Sequence, residues 1–142
     1  MIDKIEITID VIVHATENIS KIFESFEKIL DLKEECFTIE KIEGYYENPI
    51  ILLNTKIVKK QAQNFMNKLL ESLSKEQVNE LINEIEERTK DSSFHMRLDK
   101  QELIKGNIAI REKDTIKLKI HTPIYNKKDT IKIFTKIFQI AN

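Results

Sequence analysis

The sequence predicts an α+β domain: an antiparallel or mixed sheet with helices packed on one face. Three observations carry that prediction. First, Ile5, Ile7, Ile9, Val11 and Val13 alternate with Lys4, Glu6, Thr8 and Asp10. Second, the same alternation returns late in the chain, where Phe94, Met96 and Leu98 interleave with His95, Arg97 and Asp99, and Ile116, Leu118 and Ile120 with Lys117, Lys119 and His121. Period-two patterns of this kind mark strands with one covered and one open face. Third, the stretches between them repeat apolar residues at helical spacing. A chain of 142 residues is expected to form a single domain over 1–142 with a core that needs no disulfide.

The first strand ends in HATE, His14 to Glu17. Thr16 is expected to cap the next helix and Glu17 to sit at the positive end of its dipole. Ile19, Ile22, Phe23, Phe26, Ile29 and Leu30 form that helix's apolar stripe, and Cys36 to Ile42 reads as a second strand. In EGYYENPIILL, Gly44 relieves backbone strain, Asn48 and Pro49 signal a turn, and Ile50 to Leu53 suits a short buried strand. From Lys59 to Leu73, residues Ala62, Phe65, Met66, Leu69, Leu70 and Leu73 share a helical face. Ser74 with Gln77 is a capping box that opens a further helix, with Val78, Leu81, Ile82 and Ile85 inside and Glu76, Glu80, Glu84, Glu86 and Glu87 outside.

MRLDKQELIKG, Met96 to Gly106, reads as a strand running into one turn of helix stopped by glycine. Ile108 to Ile110 and Ile116 to Ile120 are expected as two strands joined by a hairpin at Lys113 and Asp114. Lys127 to Ile140 carries Ile131, Phe134, Ile137 and Phe138 at helical spacing and predicts a terminal helix, with a strand through Ile131 and Ile133 as the alternative.

A net charge of −1 excludes a generic polycation, but the charges are unevenly placed. From Arg97 to the end there are 11 basic and 5 acidic residues, against 12 and 19 before it. Such asymmetry is a footprint of nucleic-acid or acidic-partner binding. If the strands carrying His95, Arg97, Lys117 and Lys119 share a sheet, their polar faces merge into a basic patch. The acidic helix would then point away from phosphates or meet a basic protein.

No apolar run reaches membrane-spanning length and the N-terminus lacks a leader-like pattern, so a cytoplasmic protein without a membrane partner is expected. Cys36 is the lone cysteine, and His14, His95 and His121 are too scattered to suggest zinc, so neither metal nor cofactor is expected. An acid/base group would have to come from His14, Asp99 and Lys100. No pair of acidic metal ligands, glycine-rich phosphate loop or nucleophile elbow accompanies them, and a non-enzymatic function is expected.

Three pieces in order, VHATE (Val13 to Glu17), EGYYENPI (Glu43 to Ile50) and RLDKQ (Arg97 to Gln101) followed by Gly106, resemble the archaeal family described as a predicted exosome subunit or RNA-binding protein with a ribosomal protein L5-like fold. The resemblance extends to the strand ending at His121. The family's middle piece usually reads EGHYGNPI, so Tyr45 and Glu47 depart from it. Glu102 and Leu103 stand where the family has two alanines.

The resemblance implies an L5-like domain that binds RNA, with exosome or ribosome-related proteins as further partners. Its matching positions are His14, Glu17, Gly44, Asn48, Pro49, Arg97, Asp99, Lys100, Gln101 and Gly106. Of these, His14, Arg97, Lys100 and Gln101 are assigned to RNA, with Lys105, Lys117 and Lys119 extending the electrostatic track; Glu17, Gly44, Asn48, Pro49, Asp99 and Gly106 are assigned to architecture. Arg97 and Lys100 would neutralise phosphates, and Gln101 would meet a base edge or 2′-hydroxyl. Structured RNA, read by shape, is the expected ligand. Two competing assignments stand beside this one. Arg97 and Asp99 would form a plain surface pair, or the acidic helix and the terminal helix, with Phe134 and Phe138, would dock on a protein.

Overall fold

Alternation decides the two faces of the sheet. In the computed structural model, which describes residues 4–43, 49–111 and 115–139, β1 (Glu6–His14) buries Ile7, Ile9, Val11 and Val13 and exposes Asp10, Ile12 and His14. There follow α1 (Ile19–Leu30), β2 (Thr38–Glu43), β3 (Pro49–Val58), α2 (Lys59–Glu71), α3 (Lys75–Asn83), α4 (Ile85–Arg88) and β4 (Thr89–Lys90). Then come β5 (Ser93–Asp99), α5 (Lys100–Ile104), β6 (Thr115–His121) and α6 (Thr130–Gln139). Among the described residues the strands form a six-stranded sheet in the order β2-β3-β1-β6-β5-β4, with every pairing antiparallel. The antiparallel form of the expected sheet is thus the one present.

The core lies between the inward face and the helices. α2 packs on β1 and β3, α1 on α2 and α5, and α6 on α3 and α4. Phe37 sits between Phe23 and Phe26, with ring centroids 5.7 and 5.1 Å away, and Phe94 meets Phe134 and Phe138 at 5.7 and 4.8 Å. The terminal segment is therefore a helix, and Phe134 and Phe138 are fully buried in the chain's own core instead of being offered to a partner. Burying two aromatic rings against Phe94 outweighs the strand alternative, which would have turned Ile131 and Ile133 inward.

Several expectations need correction. The cap of α1 is Asn18, whose side chain accepts from the backbone N–H groups of Ser20 and Lys21; Thr16 and Glu17 precede the helix. The stretch after Ser74 breaks at Glu84 into α3 and α4, although the Ser74–Gln77 capping box is present. β3 runs to Val58 rather than Leu53, with Leu53, Thr55 and Ile57 all inward, and the hydroxyl of buried Thr55 donates to the Cys36 carbonyl at 2.7 Å. Ile108 to Ile110 forms no strand paired with β6. Its one ladder pairing is a single bridge between Ile110 and Leu98, on β5, while β6 lies between β1 and β5. The expected hairpin tip at Lys113 and Asp114, like Gly44 and Asn48, lies outside the described residues.

Phe138→Ala, which empties the space between α6 and Phe94, is expected to lower unfolding free energy by about 3–5 kcal/mol, measured by urea denaturation.

Candidate nucleic-acid interface

The uncovered face of the sheet is assembled by register. Lys119 lies opposite Thr8 on one side and His95 on the other; Lys117 lies opposite Asp10 and Arg97. Thr8 and Asp10 in turn face Lys56 and Asn54. Two rungs therefore cross four strands, Lys56–Thr8–Lys119–His95 and Asn54–Asp10–Lys117–Arg97. The basic residues that the sequence placed on separate strands are brought together, with neighbouring strands about 4.8 Å apart and successive outward residues about 7 Å apart. Asp10 is held by Asn54, whose Nδ2 donates to Oδ1 at 2.6 Å, and Lys56 lies 3.4 Å from Glu6.

The face is not uniform. At its β2–β3 corner Ile42 lies opposite Ile50 and Leu52 opposite Ile12, an apolar group bordered by Glu40, which lies opposite Leu52 on its other side. At the other end a depression of about 400 Å³ is lined by Glu87, Arg88, Lys90, His95, Arg97 and Lys117. The pKa of His95 is held below that of an ordinary histidine, first by partial burial and then by the positive charges of Lys119, Lys90 and Arg97.

The motif residues gather elsewhere. The ladder between β1 and β6 ends at Asp10 and Lys117, so the Ile12 carbonyl lies beyond it. Lys100 fills that gap: its Nζ donates to Ile12 O at 2.7 Å and to Glu17 Oε1 at 2.9 Å, and the side chain is only 1% exposed. The Glu17 carboxylate also accepts from the His14 backbone N–H (2.8 Å) and from Gln101 Nε2 (3.2 Å). Asp99 caps α5 through Glu102 N–H and pairs with Arg111 at 2.9 Å. The Arg111 hydrogen bond, then that of the Glu102 backbone, lowers the Asp99 pKa.

Lys100, assigned from sequence to a phosphate, is thus a buried internal cross-link whose charge is taken up by Glu17. Asp99 takes Arg111 as its partner in place of the expected surface pair with Arg97. Gln101 is exposed and tied to Glu17, and exposed Lys105 lies just past α5, 3.6 Å from Glu102, beyond the strand end. His14 closes β1 opposite Ile50, and Pro49 opens β3 opposite Glu43. Gly106 has φ +95, the left-handed backbone that glycine allows without strain. Sequence reasoning missed Lys56, Lys90 and Arg111. Lys56 was legible as one more outward position once β3 is extended; Lys90 and Arg111 carried no signal. Among the described residues no group of three or more His, Cys, Asp or Glu is placed to hold a metal ion, and no helix is long and apolar enough to cross a membrane.

A family model described as RNA binding matches residues 6–122. RNA-binding protein PAB1135 of Pyrococcus abyssi is 30% identical over 129 residues, covering 86% of this chain and 84% of that protein. Uncharacterized protein MJ0213 of Methanocaldococcus jannaschii is 29% identical over 137 residues, covering 89% and 91%. Among solved structures, protein AF2318 of Archaeoglobus fulgidus superposes with a TM-score of 0.78 at 24% identity, covering 94% of this chain and 99% of that one. Mth689 of Methanothermobacter thermautotrophicus, described as a DUF54 protein, gives 0.74 at 27%, covering 96% and 100%.

Lys100→Met strips the cation from Glu17, itself 12% exposed, and is expected to cost about 3 kcal/mol of stability in urea unfolding; adding Glu17→Gln should recover part of that loss. Because the folded-state pKa of Asp99 is depressed, its stabilisation is complete above the unfolded value of about 3.9 and fades as pH falls through the folded value. Urea midpoints should therefore drop more steeply below about pH 4 in the native chain than in Arg111→Ala.

Proposed function

Because the chain belongs to the family described as RNA binding, we propose that it binds RNA, without catalysing a reaction, across the open face of its sheet. The observation that carries this reading is the register that aligns His95, Arg97, Lys117 and Lys119 on the uncovered side of two adjacent strands. Ammonium and guanidinium groups on such a grid neutralise successive phosphates and release their counterions. The printed name of the Pyrococcus abyssi relative agrees with it.

Shape recognition of structured RNA fits this surface better than base stacking. Among the described residues the outward positions carry no Phe, Tyr or Trp, the side chains on which unpaired bases stack. Lys105 and Gln101, at the end of the sheet, and His14, at the end of β1, would extend the interface to its rim. The L5-like fold and the work in RNA processing or beside the ribosome, with exosome or ribosome-related protein partners, belong to this reading through the resemblance of the three motif pieces. The protein-docking alternative loses its anchors, since Phe134 and Phe138 are core residues.

Titrating an RNA hairpin at increasing salt should give an affinity that falls linearly on logarithmic axes. The Arg97→Ala, Lys117→Ala, Lys119→Ala variant should show a shallower slope, by about 0.7–0.9 for each phosphate that is no longer neutralised. An unchanged slope would remove this face from the interface, and a folded native chain that ignores RNA at low salt would contradict the function.

A further inference from the structure

The open face is concave at one place where cations converge. β5 supplies His95 and Arg97, β6 supplies Lys117 and, across the rung from His95, Lys119; β4 contributes Lys90, and α4 adds Arg88 and Glu87. Arg88 is fixed in this wall. It pairs with Glu84 at 2.6 Å, and Nη1 reaches toward the His95 carbonyl at 3.5 Å. Glu84 is thereby committed to Arg88, which leaves Glu87 as the carboxylate lining the depression. His95 itself points outward, between two lysines and an arginine.

Resting on the RNA-binding reading above, we propose that this depression is a proton-linked phosphate subsite, in which an RNA phosphate accepts a hydrogen bond from the imidazolium of His95. The linkage follows from the surroundings. In the free protein the flanking cations and partial burial oppose protonation of His95. A phosphate seated among Lys90, Arg97 and Lys117 offsets their positive charge and, as hydrogen-bond acceptor to the imidazole, favours the charged ring. Binding is therefore accompanied by uptake of a proton at His95. By linkage, whatever raises the histidine pKa on binding must tighten binding as pH falls. A rise of about one unit makes affinity about tenfold greater below the free pKa than above the bound one.

The test is RNA-hairpin affinity from pH 5 to 8 at constant ionic strength, for the native chain and for His95→Gln, with the ring signals of His95 followed by NMR and assigned by their loss in that variant. The expected result is tightening on acidification in the native chain, a flattened profile in the variant, and a His95 pKa that rises when RNA is added. Binding that weakens with salt but has the same pH profile in both proteins would overturn the subsite and leave the RNA-binding reading standing. No binding at any pH would overturn both. A parallel titration with inorganic phosphate separates the source of the anion: if orthophosphate raises the His95 pKa and RNA does not, the site serves the free ion and the proposal is wrong.

Discussion

The period-two alternation of β1, β3, β5 and β6 is the constraint on which the rest depends. It sends every second side chain into a core roofed by helices and commits the others to a face that none of the described helices covers. A shift of register by one residue in a central strand would turn apolar side chains outward and polar or charged ones inward, so burial locks the ladder. The same lock determines which polar residues become neighbours. Lys117 meets Arg97, and Lys119 meets His95, because Ile116, Leu118 and Ile120 must face the core beside Leu98, Met96 and Phe94. The electrostatics of the open face are a consequence of packing on the other one.

A second constraint acts at the end of the sheet. The β1–β6 ladder stops short of the last residues of β1, and the Ile12 carbonyl beyond it is met by Lys100 from α5. Glu17 makes that donor tolerable in the interior by supplying the opposite charge, and its remaining bonds tie the β1–α1 turn and Gln101 to the same point. Two motif pieces separated by more than 80 residues are thereby one structural joint. The joint holds β1 and β5 at fixed ends, which keeps the basic rungs aligned. Of the motif residues, Glu17, Lys100 and Gln101 belong to this joint, whereas Arg97 lies on the open face opposite Lys117.

The elements legible in the sequence were those whose pattern is unbroken. Ile5 to Val11 and Ile116 to Ile120 alternate without interruption, and the stripes of α1, α2 and α6 are clean. β3 was cut short because Asn54 and Thr55 interrupt its apolar run. Thr55 is nonetheless buried, its hydroxyl satisfied by a carbonyl that no local pattern announces. Glu84 hides the division between α3 and α4, since glutamate suits a helix interior as well as its end. The basic patch was conditional on two strands sharing a sheet, and that condition is met. Lys100 was assigned to a phosphate through the motif resemblance, which carries no information on burial. Its burial depends on where the β1–β6 ladder ends, a tertiary fact, and Arg111 reaches Asp99 through the return of the chain after α5.

RNA on the open face and RNA on the helical layer would leave different marks on the folded chain. The most direct measurement is to follow the amide and side-chain NMR signals of the labelled chain as an RNA hairpin is added. With RNA on the open face, shifts concentrate on β5 and β6, with the strongest at His95, Arg97, Lys117 and Lys119, weaker ones at Thr8 and Lys56, and little change in α2, α3 or α6. Shifts centred on the helical layer, with β5 and β6 unmoved, would contradict that placement.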